Sequence, residues 1–155
     1  METVYIESTI PSYLTAKPNN NVIATARQLA TQRWWNERKV QYDLYTSDVV
    51  LIECNKGNSE AAEKRISSLE GIPLLEVSEE ALELAAIIFK ELQIPEKARD
   101  DALHIAIACV NEIDYLMSWN FKHLVNATMI RKLNRLLERT IYKTTQICTP
   151  EELTE

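Results

Sequence analysis

The chain has 155 residues and a net charge of −6, with 46% hydrophobic and 26% charged residues. This length and balance predict one globular domain, residues 1–155, and exclude a largely disordered protein. The acidic total argues against a protein that simply coats nucleic acid, because such proteins need a basic surface.

The start of the chain lacks a basic region followed by a long apolar run, and no apolar stretch reaches the ~20 residues that cross a bilayer. We therefore expect a cytoplasmic protein without a membrane segment. The three cysteines, Cys54, Cys109 and Cys148, are far apart and lack the spacing of metal ligands. We expect them to be buried free thiols.

The first half of the chain predicts two strands and several helices. Residues 4–6 are apolar and β-branched, which predicts a buried strand ending at Glu7, and Pro11 favours a short helix after it. Residues 23–38 predict a long helix with Ile23, Ala26, Ala30 and Trp34 on one face. Residues 43–46 predict a second strand, and helices follow at 49–53 and 59–70.

The second half continues the alternation of strands and helices. Residues 73–77 predict a third strand, and a helix follows from Ser78 to Leu92. The next helix begins near Asp100 or Asp101 and ends near Asn111. Residues 114–118 predict a fourth strand, 126–140 a helix, and Ile147 marks a fifth, edge strand. This order favours an α/β fold with a central parallel sheet of about four to five strands, covered by helices on both faces.

Polar residues stand at the ends of several apolar segments: Glu7, Glu53, the pair Asp100 and Asp101, and Asn120. Open α/β sheets gather strand-end and helix-start positions into one crevice. Carboxylates in a crevice repel one another and are hard to desolvate, so they need a cation. Mg²⁺ and Mn²⁺ take oxygen ligands and leave positions for water and phosphate. The pattern therefore indicates metal-assisted phosphodiester chemistry.

Each of these positions also has a purely structural explanation. Glu7 could cap the following helix, and Glu53 could face solvent on an amphipathic helix. One of Asp100 and Asp101 could cap their helix while the other binds a metal. Asn120 could offer its oxygen to a metal or water, or it could close a turn.

Basic residues and one histidine lie near the same positions. Lys122 follows Asn120 and could contact phosphate or face solvent. Arg131, Arg135 and Arg139 are four residues apart and line one helical face, where they could bind RNA or remain solvated. His104 shares a helix face with the aspartate pair, although a lone histidine in such a place is more often packed or hydrogen-bonded than catalytic.

Together these segments resemble the PIN domain, the nuclease fold of the VapC-type toxins of bacterial toxin–antitoxin pairs. Residues 4–14 are similar to its opening strand and acid, and residues 49–54 to its second motif, which ends in Glu. Asp101-Ala-Leu-His and the small residues to Ala108 are similar to the third motif. Residues 115–124 are similar to the fourth, where Thr or Ser precedes Asp or Asn.

The resemblance implies a three-layer α/β/α fold and a Mg²⁺- or Mn²⁺-dependent endoribonuclease that acts on single-stranded RNA. It implies that Glu7, Glu53 and Asp101 are metal ligands, with Asp100 as a secondary ligand, and that Asn120 orients a water or a ligand. In the family the first acid is usually Asp, and many active members have a carboxylate at the position of Asn120.

The resemblance also implies a homodimer, to which Trp34 and Trp35 would offer apolar surface, and a small antitoxin protein as a possible partner. The alternative function is a catalytically weakened PIN-like domain that binds RNA or a protein without cleaving; the neutral Asn120 and the acidic net charge favour it. A different phosphohydrolase acting on small molecules is disfavoured, because no Asp-x-Asp pair follows the first strand.

Overall fold

The computed structural model describes residues 1–154. Its strands and helices follow one another along the chain in this order: β1 Thr3–Ile6, α1 Thr9–Thr15, α2 Val22–Glu37, β2 Asp43–Ser47, α3 Asp48–Cys54, α4 Ser59–Ser68, β3 Leu74–Leu75, α5 Glu79–Glu91, α6 Arg99–Val110, β4 Tyr115–Met117, α7 Ala127–Leu137 and β5 Gln146–Cys148. Short 3₁₀ turns at Lys39–Gln41 and Glu96–Ala98 precede β2 and α6.

The five strands form one parallel sheet in the order β3-β2-β1-β4-β5, which confirms the predicted α/β class. β1 lies at the centre and pairs with both β2 and β4. Val4, Tyr5 and Ile6 are completely buried. A strand covered on both faces needs apolar residues on both sides, which explains why this segment does not alternate.

The helices form two groups, one on each face of the sheet. α1 contacts α2 and α4, and α3 contacts α4, whereas α5 contacts α6 and α7. Crossovers between parallel strands are right-handed. The chain runs from β1 to β3 in one direction along the sheet and to β4 and β5 in the other, so the first group of helices lies on one face and the second on the other. The predicted three-layer arrangement is therefore confirmed. The direction of winding changes between β1 and β4, where such sheets form a crevice at the carboxyl ends of the strands.

Side-chain caps define most of the helix starts. Ser47, Ser78 and Asn126 each accept a backbone N–H at the start of α3, α5 and α7. α6 differs, because its N-cap is Ala98 and has no side-chain bond. Neither aspartate of the pair is therefore the N-cap, and both lie within the first turn of α6. β3 is shorter than predicted, since only Leu74–Leu75 pairs with β2.

The buried face of α2 differs from the predicted one. Ile23 is 62% exposed, and the buried residues of this helix are Gln28, Thr31 and Trp34. The polar members are buried because they have partners: Gln28 donates to a backbone carbonyl, and Thr31 accepts a hydrogen bond from the indole of Trp119. Trp34 stacks on Tyr42 and donates to the carbonyl of Leu153, so its ring is not free to form a dimer surface.

The three cysteines are in the predicted state. Cys54, Cys109 and Cys148 are free and buried, as predicted. Burial raises their thiol pKa values to about 11, 11 and 12, so they stay protonated and unreactive at neutral pH. Within residues 1–154, none of the helices has both the length and the apolar character to cross a membrane.

Candidate metal centre

Residues remote in sequence meet beyond the carboxyl ends of β1 and β4. Glu7 follows β1, and Ser118 and Asn120 follow β4. Glu53 comes from the end of α3, and Asp101 from the first turn of α6. The meeting point is therefore the crevice where the winding direction of the sheet changes.

Glu7 is 2% exposed and its carboxylate is held by hydroxyl groups. Its Oε1 accepts from Ser118 Oγ at 2.6 Å and from Thr9 Oγ1 at 2.5 Å, and its Oε2 accepts from Ser8 Oγ at 2.9 Å. The backbone N–H of Thr9, the first residue of α1, also donates to Oε1 at 3.2 Å. Glu7 therefore assists the start of α1 and also faces the crevice.

Glu53 points inward, with its side chain 22% exposed. Its Oε1 lies 2.6 Å from Nε2 of His104, which is completely buried. One carboxylate oxygen each from Glu7 and Glu53 and one ring nitrogen of His104 all lie within 4.8 Å of one another. The predicted convergence of the first two acids is therefore present in the fold.

Asp101 is the buried member of the aspartate pair, at 8% exposed, whereas Asp100 is exposed. Burial raises the pKa of Asp101 to about 6; the negative charge of Glu7 adds to this rise, and the charge of His104 opposes it. The orientation and burial of Asp101 thus fit the role of a metal ligand better than those of Asp100.

Asn120 connects Asp101 to the Glu7 side of the crevice. Its Nδ2 donates to Asp101 Oδ2 at 3.2 Å, and its backbone N–H donates to Ser118 Oγ at 2.9 Å. Ser118 in turn donates to Glu7. A continuous hydrogen-bond path therefore links the acid that follows β1 to the acid that begins α6.

His104 is packed and hydrogen-bonded, as predicted, but the sequence did not identify Glu53 as its partner. Complete burial lowers its pKa, but the hydrogen bond and charge of Glu53, with the charges of Glu7 and Asp101, outweigh burial and raise the pKa above 6.5. The available signal was its spacing, since His104 lies one helical turn beyond the aspartates. Its contact with Glu53, 51 positions away, has no sequence signature.

The order of the elements places the predicted RNA-binding residues progressively further from the crevice. Lys122 is exposed and follows Asn120 directly. Arg131 and Arg135 are exposed on α7, and Arg139 lies beyond the last residue of that helix. α7 begins after β4 at the crevice and returns the chain to the other end of the sheet, so Arg139 lies furthest away.

The donor set of the crevice fits a hard divalent cation. Its carboxylate oxygens are the ligands that Mg²⁺ and Mn²⁺ prefer, and the group of ligand atoms within 4.8 Å also includes a ring nitrogen of His104 but no atom of Asp101. Burial, and then the negative charge of Glu7, raise the pKa of Asp101, and a bound cation would offset both effects. Glu7, Glu53 and Asp101 are the residues that would hold such an ion.

Comparisons with known proteins give a match at the level of structure. No protein-family model matches the chain, and no curated protein matches it. A chain of the crystal structure of VapBC2 from Rickettsia felis, bound to a DNA fragment from their promoter, is similar with a TM-score of 0.56. The match covers 95% of this chain and 98% of that chain at 13% sequence identity. At this identity, the two chains share a fold over nearly their whole length.

Proposed function

We propose that the chain is a Mg²⁺- or Mn²⁺-dependent PIN-type endoribonuclease that hydrolyses phosphodiester bonds of single-stranded RNA. The observation that carries the proposal is the convergence of Glu7 and Glu53, with ligand oxygens within 4.8 Å, in the crevice that also contains Asp101. Three carboxylates that share one half-buried crevice repel one another unless a cation lies between them.

The residues of the crevice have two roles: some would bind the metal ion, and others would orient the residues that bind it. Glu7, Glu53 and Asp101 would hold the ion, and Asn120 and Ser118 would orient Asp101 and Glu7 through their hydrogen bonds. When bound, Mg²⁺ or Mn²⁺ supplies activation of water and charge for the reacting phosphate. Lys122 at the rim would attract the RNA backbone.

The similarity to VapBC2 supports a VapC-type toxin as the biological role, acting in the cytoplasm with a small antitoxin protein as partner. We also propose that two copies of the chain form a homodimer. Light scattering of the purified chain would measure the dimer, and co-expression with the product of a neighbouring small gene would test for the antitoxin.

The decisive experiment compares two adjacent aspartates. The purified chain with Mn²⁺ should cut a labelled single-stranded RNA, and Asp101→Asn should abolish cutting. Asp100→Asn is the matched control, because it makes the same change one residue away at an exposed position. Continued cleavage by Asp101→Asn, or no cleavage by the wild type at millimolar Mn²⁺, would contradict the proposal.

A second candidate function is a weakened PIN-like domain that binds RNA or a protein without cleavage. Asn120 favours it, because this residue is neutral and its side-chain oxygen accepts the backbone N–H groups of Lys122 and His123. Such a site offers fewer ligands to a second ion. Calorimetric titration with Mn²⁺ separates the two candidates, since absent binding at millimolar metal supports this one.

A further inference from the structure

His104 lies in a chain of three side-chain hydrogen bonds that α3 closes into a ring, since one end of the chain caps the start of this helix and the other lies near its end. Its Nδ1 lies 2.7 Å from the hydroxyl of Tyr5, and its Nε2 lies 2.6 Å from Oε1 of Glu53. The Tyr5 hydroxyl is also 2.7 Å from Oγ of Ser47, which caps the start of α3. Glu53 lies near the end of the same helix. The ring therefore joins α3 to β1 through Tyr5 and to α6 through His104.

The direction of the hydrogen bonds follows from what each group can donate. An ionised carboxylate only accepts, so the bond between His104 and Glu53 requires a proton on Nε2. A neutral imidazole then accepts from the Tyr5 hydroxyl at Nδ1, and Tyr5 accepts from Ser47; an imidazolium donates to Tyr5, which donates to Ser47, and Nε2–H stays on Glu53 in both forms. Ser47 accepts from the backbone N–H of Val50, so every donor in the ring has one acceptor.

In this arrangement His104 does not act as a metal ligand, although its ring nitrogen lies within 4.8 Å of ligand oxygens of Glu7 and Glu53. A protonated Nε2 has no lone pair to give to a cation. Its effect on the site passes through Glu53, whose Oε1 it holds while Oε2 remains available. A glutamate on a seven-residue helix otherwise has several rotamers, and only some of them direct an oxygen toward Glu7.

We propose that His104, held by Tyr5 and Ser47, is a positioning residue that fixes the Glu53 carboxylate for metal binding. The inference rests on the proposed metal-dependent function. Residues that hydrogen-bond to metal ligands typically change metal affinity or activity by about 10- to 100-fold when they are replaced. The same range is expected for loss of His104 or of the Tyr5 hydroxyl.

Three variants and one control test the role. Tyr5→Phe removes only the hydroxyl, and His104→Leu removes both bonds of the ring. His104→Gln keeps an amide N–H that can reach Glu53 and should restore part of the lost affinity. Tyr45→Phe is the control. Tyr45 lies opposite Tyr5 on the neighbouring strand β2, and removal of its hydroxyl leaves the hydrogen-bonded ring intact.

The main measurement is the Mn²⁺ dissociation constant, read alongside the melting temperature of each metal-free variant. Tyr5→Phe and His104→Leu should weaken Mn²⁺ binding about 10- to 100-fold, and Tyr45→Phe should not. In a Glu53→Gln background, His104→Leu should have little further effect, because it acts through Glu53. A general loss of folding would instead lower the melting temperature and weaken binding in both backgrounds.

The outcomes distinguish this role from the proposed function. If the wild type binds Mn²⁺ and cuts RNA but Tyr5→Phe and His104→Leu bind Mn²⁺ equally well, the positioning role is overturned and the nuclease stands. If the wild type binds no Mn²⁺, both fail. Nitrogen-15 NMR of the metal-free wild type gives a separate check, since a His104 Nε2 without a proton would also overturn the inference.

Discussion

The side chain of Asn120 donates to Asp101 across 3.2 Å while its oxygen accepts the backbone N–H groups of Lys122 and His123. Backbone N–H groups can only donate, so they fix which end of the amide faces the turn. The nitrogen must then face Asp101. Asn120 thus closes a turn and steadies the buried aspartate with a neutral donor.

Asn120→Asp should make the metal-free protein less stable and more responsive to metal. Aspartate keeps an oxygen for the turn, but it replaces the donor to Asp101 with a second negative charge. We expect a loss of about 1–3 kcal/mol in the free energy of unfolding without metal and a larger rise in melting temperature with Mn²⁺ than in the wild type.

Asn58→Asp is the control for this change, since Asn58 caps α4 and aspartate caps helices equally well. Thermal melts with EDTA and with Mn²⁺ measure both effects. Equal metal responses of Asn120→Asp and the wild type would show that position 120 lies outside the metal centre.

Asp101→Asn should stabilise the metal-free fold at alkaline pH. The folded state raises the pKa of Asp101 from 3.8 to about 6, so it binds this proton more tightly than the unfolded chain does. Stability therefore falls as pH rises from about 4 through 6, and the loss persists above that range. The neutral amide removes a penalty of up to about 3 kcal/mol at pH 8.

Urea unfolding in EDTA at pH 5 and pH 8 measures this gain. Asp100→Asn is the control, because the exposed Asp100 does not share the buried environment. If Asp101→Asn and the wild type lose the same stability between the two pH values, the raised pKa is not present in solution.

Glu7→Asp should weaken metal binding, although the two side chains carry the same charge and differ by one methylene. Ser8, Thr9 and Ser118 hold the carboxylate at the length of a glutamate. Removing one methylene retracts the oxygens by about 1.5 Å. The bond to Ser118 would be lost, and Mn²⁺ affinity should fall about 10- to 100-fold.

Calorimetry with Mn²⁺ measures the effect of Glu7→Asp, and Glu63→Asp on the exposed surface of α4 controls for the shortening itself. An equal or tighter Mn²⁺ affinity of Glu7→Asp would mean that the hydroxyl groups adapt to a shorter side chain.

The sequence predicts the sheet and two of its acids because those signals are local. An apolar run covered on both faces ends at Glu7, and a strand end in a parallel sheet fixes where that acid lies. Glu53 also follows an apolar run. The order of strands and helices is enough to predict that these two acids lie close together.

The rest of the site depends on contacts that no local pattern encodes. His104 meets Glu53 and Tyr5 from positions 51 and 99 residues away. The buried face of α2 is partly polar because Thr31 bonds to Trp119, beyond β4. Hydrophobic spacing therefore identified Trp34 correctly but wrongly placed Ile23 and Ala26 on the buried face. Pairwise hydrogen bonds of this kind require the folded geometry.

Lys122→Glu should weaken binding of single-stranded RNA more than Arg139→Glu. Lys122 lies two residues beyond Asn120, at the rim of the crevice. Arg139 follows the end of α7, a helix about 16 Å long that leads away from the crevice. Binding is measured in the Asp101→Asn background, so that RNA stays intact. Removing one phosphate contact should lower the slope of log affinity against log salt by about 0.7. Equal losses from both reversals would favour an RNA path along the arginine face of α7, one of the two roles that the four-residue spacing left open.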